Sequence, residues 1–223
     1  MPKYKEEHIE YVYLEFCDVM SKYIKNKSVI KELFEDVVKR YSTKSRHYHN
    51  MKHIYNMVSL WNDYKEELHN EDEVFISIIY HDIVYNTKRN DNELKSAVYF
   101  LKKVLPLMKL SQESYSQIYL AILATKHSGV FIEEKKIDND IKFLLDFDLS
   151  VLGSKDNSEY EWYKNGVRKE YKIYPDEQYN AGRAKVLQSF LDKKKIYLTK
   201  EFKIFEKRAR KNLQNEINSY ICQ

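Results

Sequence analysis

The chain has 223 residues, 43% of them hydrophobic and 32% charged, enough to bury a core and form one globular domain. With only four Gly and three Pro there is little punctuation for short strands and hairpins, which favours long helices. The formal charge is +4, but 38 basic residues are interspersed with 34 acidic ones and not concentrated as in a dedicated nucleic-acid binder, so nucleic-acid binding is the weakest of the expected readings.

The tightest basic run, Lys193-Lys194-Lys195, reads as a solvated helix end. The 20 tyrosines read as core and boundary residues, each with a ring that packs and a hydroxyl that stays wet. Cys17 and Cys222 have no metal or redox spacing and are expected to be reduced thiols. No apolar run approaches the ~18 residues of a membrane span. The opening sequence MPKYKEEHIEYVYLEF lacks the apolar centre of a signal peptide, so the expected location is the cytoplasm.

In chain order, Ile9, Val12, Tyr13, Phe16, Val19, Met20 and Tyr23 recur at helical spacing and predict a first helix over 7–24. Ser28 is the expected N-cap of the second, VIKELFEDVVKRY. A third helix is expected over about 45–68, carrying His47, His49 and His53. The fourth, EDEVFISIIYHDIVY, is apolar nearly all round and so is expected to be buried on several sides. After the polar turn NTKRND comes NELKSAVYFLKKVL, stopped near Pro106. Ser111 caps QESYSQIYLAILATKH, which stops at Ser128-Gly129, and Asp138 opens NDIKFLLDFDLSVLG, stopped by Gly153. Three further helices are SEYEWYKNGVRKEY, DEQYNAGRAKVLQSFLDK and KEFKIFEKRARKNLQNEINSYI. The expectation is one all-α domain of about nine or ten helices, with a core over 41–153 and a helical extension over 155–221.

Polar residues that interrupt apolar faces are the informative ones, because burying them costs free energy unless they are paired or ligated. His81 and Asp82 end an apolar helix, where they project about 100° apart. Two readings fit: cis ligands of one octahedral ion, or a buried histidine hydrogen-bonded to an aspartate. His53 lies upstream on a preceding helix, and Asp146 and Asp148 interrupt a further apolar helix, with His127 between. Imidazole with carboxylate suits a hard or borderline divalent ion such as Mn, Fe, Mg, Co or Ni, and Zn less distinctively.

The order His53, His81-Asp82, Asp148 on helices resembles the HD superfamily of metal-dependent phosphohydrolases. The matching stretches include YSTKSRHYHNMKHI, IIYHDIVYNTKRNDNELKSA, ILATKH, LLDFDLSVLG, VRKEY, GRAKVLQSFL and EKRARKNLQNEI, covering residues 41 to about 217. The resemblance implies an HD-type helical bundle with metal ligands at His53, His81, Asp82 and Asp148. It casts Asp146 as a supporting or capping group. Glu93, with Asp91 behind it, would position or activate the attacking water, and His127 beside Lys126 would approach substrate phosphate or water. Asn92 stands near the place of a further histidine in binuclear members, which implies one divalent ion rather than two.

The implied activity is hydrolysis of a phosphate ester or anhydride in a small phosphorylated compound such as a nucleotide, by metal-activated water. Arg46, Lys126, Arg168 and Arg183 are candidate donors to the phosphate oxygens, the last two only if the C-terminal helices close over the site. His49 is expected on the substrate side of the ligands and His47 in packing or capping. Trp61 and Trp162 are expected in the core, and His8 and His69 in solvent. An alternative is a non-catalytic metal- or nucleotide-binding regulatory module; iron-pair oxygenase chemistry is a third reading, which Asn92 disfavours. HNMKH has the histidine spacing of a zinc-protease helix but Asn50 where that mechanism needs glutamate, and no phosphate loop or nucleophile elbow is present.

Overall fold

Ten α-helices form the fold in the computed structural model, which describes residues 5–127 and 137–221. They are α1 Glu6–Ser21, α2 Lys27–Tyr41, α3 Met51–Tyr64, α4 Glu71–Tyr80, α5 Asn92–Tyr99, α6 Gln112–Ala124, α7 Asn139–Leu149, α8 Asn157–Glu170, α9 Asp176–Leu191 and α10 Glu206–Ile221. There is no strand among the described residues, and no helix there is long and apolar enough to cross a membrane. The stop expected at Ser128-Gly129 and the residue Cys222 lie outside the described residues; Cys17 is a free thiol.

Local chemistry sets the helix starts. Side chains of Asn26, Asn50, Ser111, Asp138 and Asp156 each accept a hydrogen bond from a backbone N–H in the first turn that follows. The cap of α2 is therefore Asn26 and not Ser28, whose hydroxyl faces Glu32 inside the helix. Likewise α3 begins at Met51, because the Asn50 side chain receives the Lys52 N–H. His47 and His49 thus precede the helix that carries His53, and the four-residue spacing of His49 and His53 is not a helical one. α5 ends at Tyr99, earlier than the expected stop near Pro106, and passes through a π turn over Phe100–Val104 into a short 3₁₀ segment containing that proline.

α4 is the centre of the molecule. Every residue from Val74 to Tyr80 is buried, as its all-round apolar sequence requires, and the helix packs on α3, α6 and α7. Full burial of each Ile or Phe there contributes roughly 1.5–3 kcal/mol. α1 covers α2 and α3 through Val12, Phe16, Val19 and Met20, while α9 and α10 pack on each other at the C-terminal end.

The end of α4 shapes the site. A helix leaves its last carbonyls without intrahelical donors, and here side chains supply them. The Tyr41 hydroxyl donates to the Ile79 carbonyl and His81 Nδ1–H to Ile78, while Arg46 Nη2–H donates to Ile83 in the turn that follows. His81 consequently sits at the C-cap and Asp82 in the turn beyond, not on the continuous helix expected through Tyr85.

Candidate metal centre

Three structural elements meet behind the Asn50 cap. α3 presents His53, the end of α4 presents His81 and Asp82, and α7 presents Asp148. His53 and His81 are almost fully buried, and their Nε2 atoms lie 3.4 Å apart. His53 Nε2 is 3.2 Å from Asp148 Oδ1; His81 Nε2 is 3.5 Å from Asp82 Oδ2 and 3.8 Å from Asp148 Oδ1. One ligand atom from each of His53, His81 and Asp82 lies within 4.8 Å of the others.

The distances among His53, His81 and Asp82 fit one small divalent ion, with Asp148 close to both histidines but outside that group of three. Donors at about 2.1 Å from an octahedral centre stand about 3.0 Å apart when cis and about 4.2 Å when trans. The donor set of imidazoles and carboxylates has the matching chemistry. The tautomer fits as well: the Ile78 carbonyl can only accept, so at 2.8 Å it holds the proton of neutral His81 on Nδ1 and leaves the Nε2 lone pair facing the cluster.

The charges point the same way. Burial pushes the pKa of His53 down and keeps it neutral. Burial opposes protonation of His81 too, yet the Asp82 and Asp148 carboxylates raise it to about 9. Burial alone would raise Asp82, but His81 and His49 hold it well below the usual carboxylate range; His127 and His53 do the same for Asp148. The carboxylates are thus ionised and concentrated where a cation can replace a proton.

His127 and Glu93 stand on the edge of this cluster. His127 Nε2 lies 2.7 Å from Asp148 Oδ2, the oxygen turned away from His53. Its backbone is in the left-handed region at φ 53°, and the Lys193 ammonium donates to its carbonyl. Glu93, in the first turn of α5, is half-buried: burial raises its pKa, a backbone hydrogen bond opposes the rise and the Asp82 charge adds to it. Lys126 and His127 act on Glu93 in the opposite sense, so all four groups share one electrostatic neighbourhood.

The other sequence candidates are engaged elsewhere. Asp91 forms a paired contact with Arg89 at 2.7 Å on each oxygen. Arg46 is buried, stacks over Tyr41 and Tyr85, and donates to the carbonyls of His49 and Ile83. It joins the loop before α3 to the turn after α4, which is a structural role in place of the expected phosphate contact. Arg168 bonds Asp176 and the carbonyls of Tyr171 and Tyr174. Arg183 is buried against Glu216 at 2.8 Å, with the Tyr160 and Tyr220 hydroxyls on the same carboxylate. A buried guanidinium needs such a partner, and Arg183 of α9 finds it on α10. Asp146 receives Leu198 N–H, Thr199 N–H and the Thr199 hydroxyl, which ties α7 to the segment before α10. Asn92 bonds both backbone groups of Asn86 through its carboxamide, so it ties the turn after α4 to α5. His8, expected in solvent, stacks on Tyr55 at 4.2 Å.

One residue given no role by sequence organises the approach to the cluster. Glu170, at the end of α8, accepts the backbone N–H groups of His47, Tyr48 and His49 on Oε1. Its Oε2 contacts His49 Nδ1 at 2.7 Å and receives the Tyr85 hydroxyl. His49 Nε2 is thereby held 3.9 Å from Asp82 Oδ2. A signal for Glu170 was present: it continues the buried spacing Tyr160, Tyr163, Val167, and a carboxylate on an apolar helix face requires a partner.

Gly166 makes this contact reachable. A Cβ there would stand 2.9 Å from Tyr48 Cβ and 3.1 Å from Tyr48 N, so the bare backbone lets α8 lie against the loop. Gly166→Ala should therefore destabilise the protein by about 1–3 kcal/mol, measured by urea unfolding. Unchanged stability would mean that the loop yields freely.

Comparison of the chain with protein-family models, curated proteins and solved structures finds no match, which leaves the geometry of the site as the basis for a functional reading.

Proposed function

We propose that the chain is a metal-dependent phosphohydrolase of the HD type, acting on a small phosphorylated compound such as a nucleotide. The observation that carries this reading is the convergence of His53, His81, Asp82 and Asp148 from three elements, with Glu93, Lys126 and His127 beside them. His53, His81, Asp82 and Asp148 would hold a single divalent ion, which when bound would lower the pKa of water and neutralise charge on a phosphoryl group. Glu93, with its raised pKa, accepts or orients the proton of the attacking water. Lys126 and His127 supply donors to the phosphate oxygens. His49, held by Glu170 and 3.9 Å from Asp82, adds a further polar contact for substrate.

The test is turnover of a panel of nucleotides and phosphomonoesters with added Mn²⁺, comparing the wild type with Asp82→Ala. The expected outcome is hydrolysis of at least one class by the wild type and a loss of about 10³-fold or more in the variant. Full activity in Asp82→Ala overturns the site. Stoichiometric metal binding without turnover of any compound transfers the reading to a metal- or nucleotide-binding regulatory module.

A further inference from the structure

Away from the cluster, a cavity of about 550 Å³ lies between α8 and α9, lined by Val167, Tyr171, Tyr174, Tyr179, Gly182 and Lys185. Its size falls in the range of small-molecule sites. Two features lack a structural explanation. Tyr179 is only 6% exposed, yet its hydroxyl has no hydrogen-bond partner among the described residues, which is a costly state for a buried donor. Gly182 stands in the middle of α9, where glycine weakens a helix, although a Cβ there would meet nothing within 4 Å. Packing does not require this glycine, and its bare backbone leaves room for a ligand to approach closely.

The lining defines the ligand. The Tyr171 and Tyr174 rings lie 6.0 Å apart with planes 30° from parallel, and the Tyr179 ring stands 6.2 Å from that of Tyr171. Arg168 lies over the buried Tyr179 ring at 4.6 Å, which leaves the partly exposed Tyr171 and Tyr174 as the faces for a planar heteroaromatic ring. The Gln178 carboxamide, also in the lining, offers both a donor and an acceptor to a ring edge. Arg183 in the floor is neutralised by Glu216, so the exposed Lys185 is the cation available to an anionic substituent. The geometry points to a second binding site, for a planar heteroaromatic ligand carrying an anionic group, of the nucleoside monophosphate kind.

The site has a route to the cluster. Tyr171 and Tyr85 are electrostatic neighbours, and Tyr85 donates to Glu170 and stacks on His49 at 4.3 Å. Occupancy against the Tyr171 ring therefore bears on the residues that hold His49. The ring chemistry has two sources, a separate effector nucleotide or the base of a nucleotide whose phosphate reaches the cluster, and the inference requires hydrolysis in neither case.

Calorimetric titration of the full chain with adenosine and uridine 5′-monophosphates tests it. The wild type should bind at least one of them at a single site. Gly182→Phe, which places a ring on the lining where a Cβ meets nothing within 4 Å, should weaken that binding by about tenfold or more. Tyr174→Ala, which removes one wall and a single 3.4 Å hydrogen bond to the Thr87 carbonyl, should weaken it as well and stands in if the phenylalanine disturbs folding. Binding retained in Asp82→Ala but lost in Gly182→Phe identifies a separate effector; binding lost in both identifies one nucleotide spanning cavity and cluster. Failure of both nucleotides to bind the wild type, or equal binding by the wild type and both cavity variants, overturns the inference.

Discussion

Substitution of His81 by Ala should abolish stoichiometric Mn²⁺ binding, lowering affinity by at least about 10²-fold, and with it the metal-dependent gain in stability. At a hundredfold excess over Kd a ligand specific for the folded state adds about 2.7 kcal/mol, which thermal unfolding reads directly. The wild type should show this rise on adding Mn²⁺ and lose it on chelation; His81→Ala should show neither. The reason is the placement of the imidazole: Nδ1–H is fixed on the Ile78 carbonyl, and Nε2 sits between His53, Asp82 and Asp148. The pH dependence has a defined sign. Without metal the neighbouring carboxylates hold a proton on His81 up to about pH 9, so binding a cation must displace it. Mn²⁺ affinity should fall as pH is lowered from about 9 to 6, with proton release detectable by titration in buffers of different ionisation enthalpy. Unaltered Mn²⁺ affinity in His81→Ala would place the metal elsewhere.

The helical class was legible because its signals are local. Apolar spacing at three and four residues marks α1 and α2, and the unbroken apolar run of α4 corresponds to its burial from Val74 to Tyr80. Helix ends were less legible where two capping residues compete within a few positions. Asn26 takes the cap from Ser28, and Asn50 starts α3 after two of the histidines that the expected helix would have contained. The cluster was visible as residue types, since His81, Asp82 and Asp148 all interrupt apolar segments. Arginines were the least legible. Arg46 and Arg183 have the chemistry of phosphate donors, but the Ile83 carbonyl that Arg46 bonds and the Glu216 that pairs with Arg183 come from distant segments that only the tertiary fold brings near. Glu170 shows the same limit from the other side. Its burial is readable from helical spacing, but its partners, three consecutive amides and His49, belong to a loop about 120 residues away in sequence.

That carboxylate supplies the largest expected stability effect of a residue that does not touch the ligand set. Glu170→Ala should destabilise the metal-free protein by about 3–5 kcal/mol, because it leaves buried N–H donors and the His49 imidazole without their acceptor. In a chain of this length that corresponds to a fall in Tm on the order of 10 °C. Glu170→Gln should lie between the two, since one carboxamide oxygen can still accept while the NH₂ group faces donors. The pH profile separates charge from shape. Burial alone would raise the Glu170 carboxyl, but His49 and the loop amides lower its pKa from 4.5 to about 2. A depressed carboxyl contributes stability that is fully present above its unfolded pKa and is lost as pH falls through the folded value. The shift corresponds to about 3 kcal/mol, so wild-type stability should drop between about pH 4.5 and 2, and Glu170→Gln should lack that component. Parallel acid-unfolding curves for the two proteins would show that the charge on Glu170 is not what holds the 47–49 loop, and that its hydrogen-bonding shape suffices to aim His49 at the cluster.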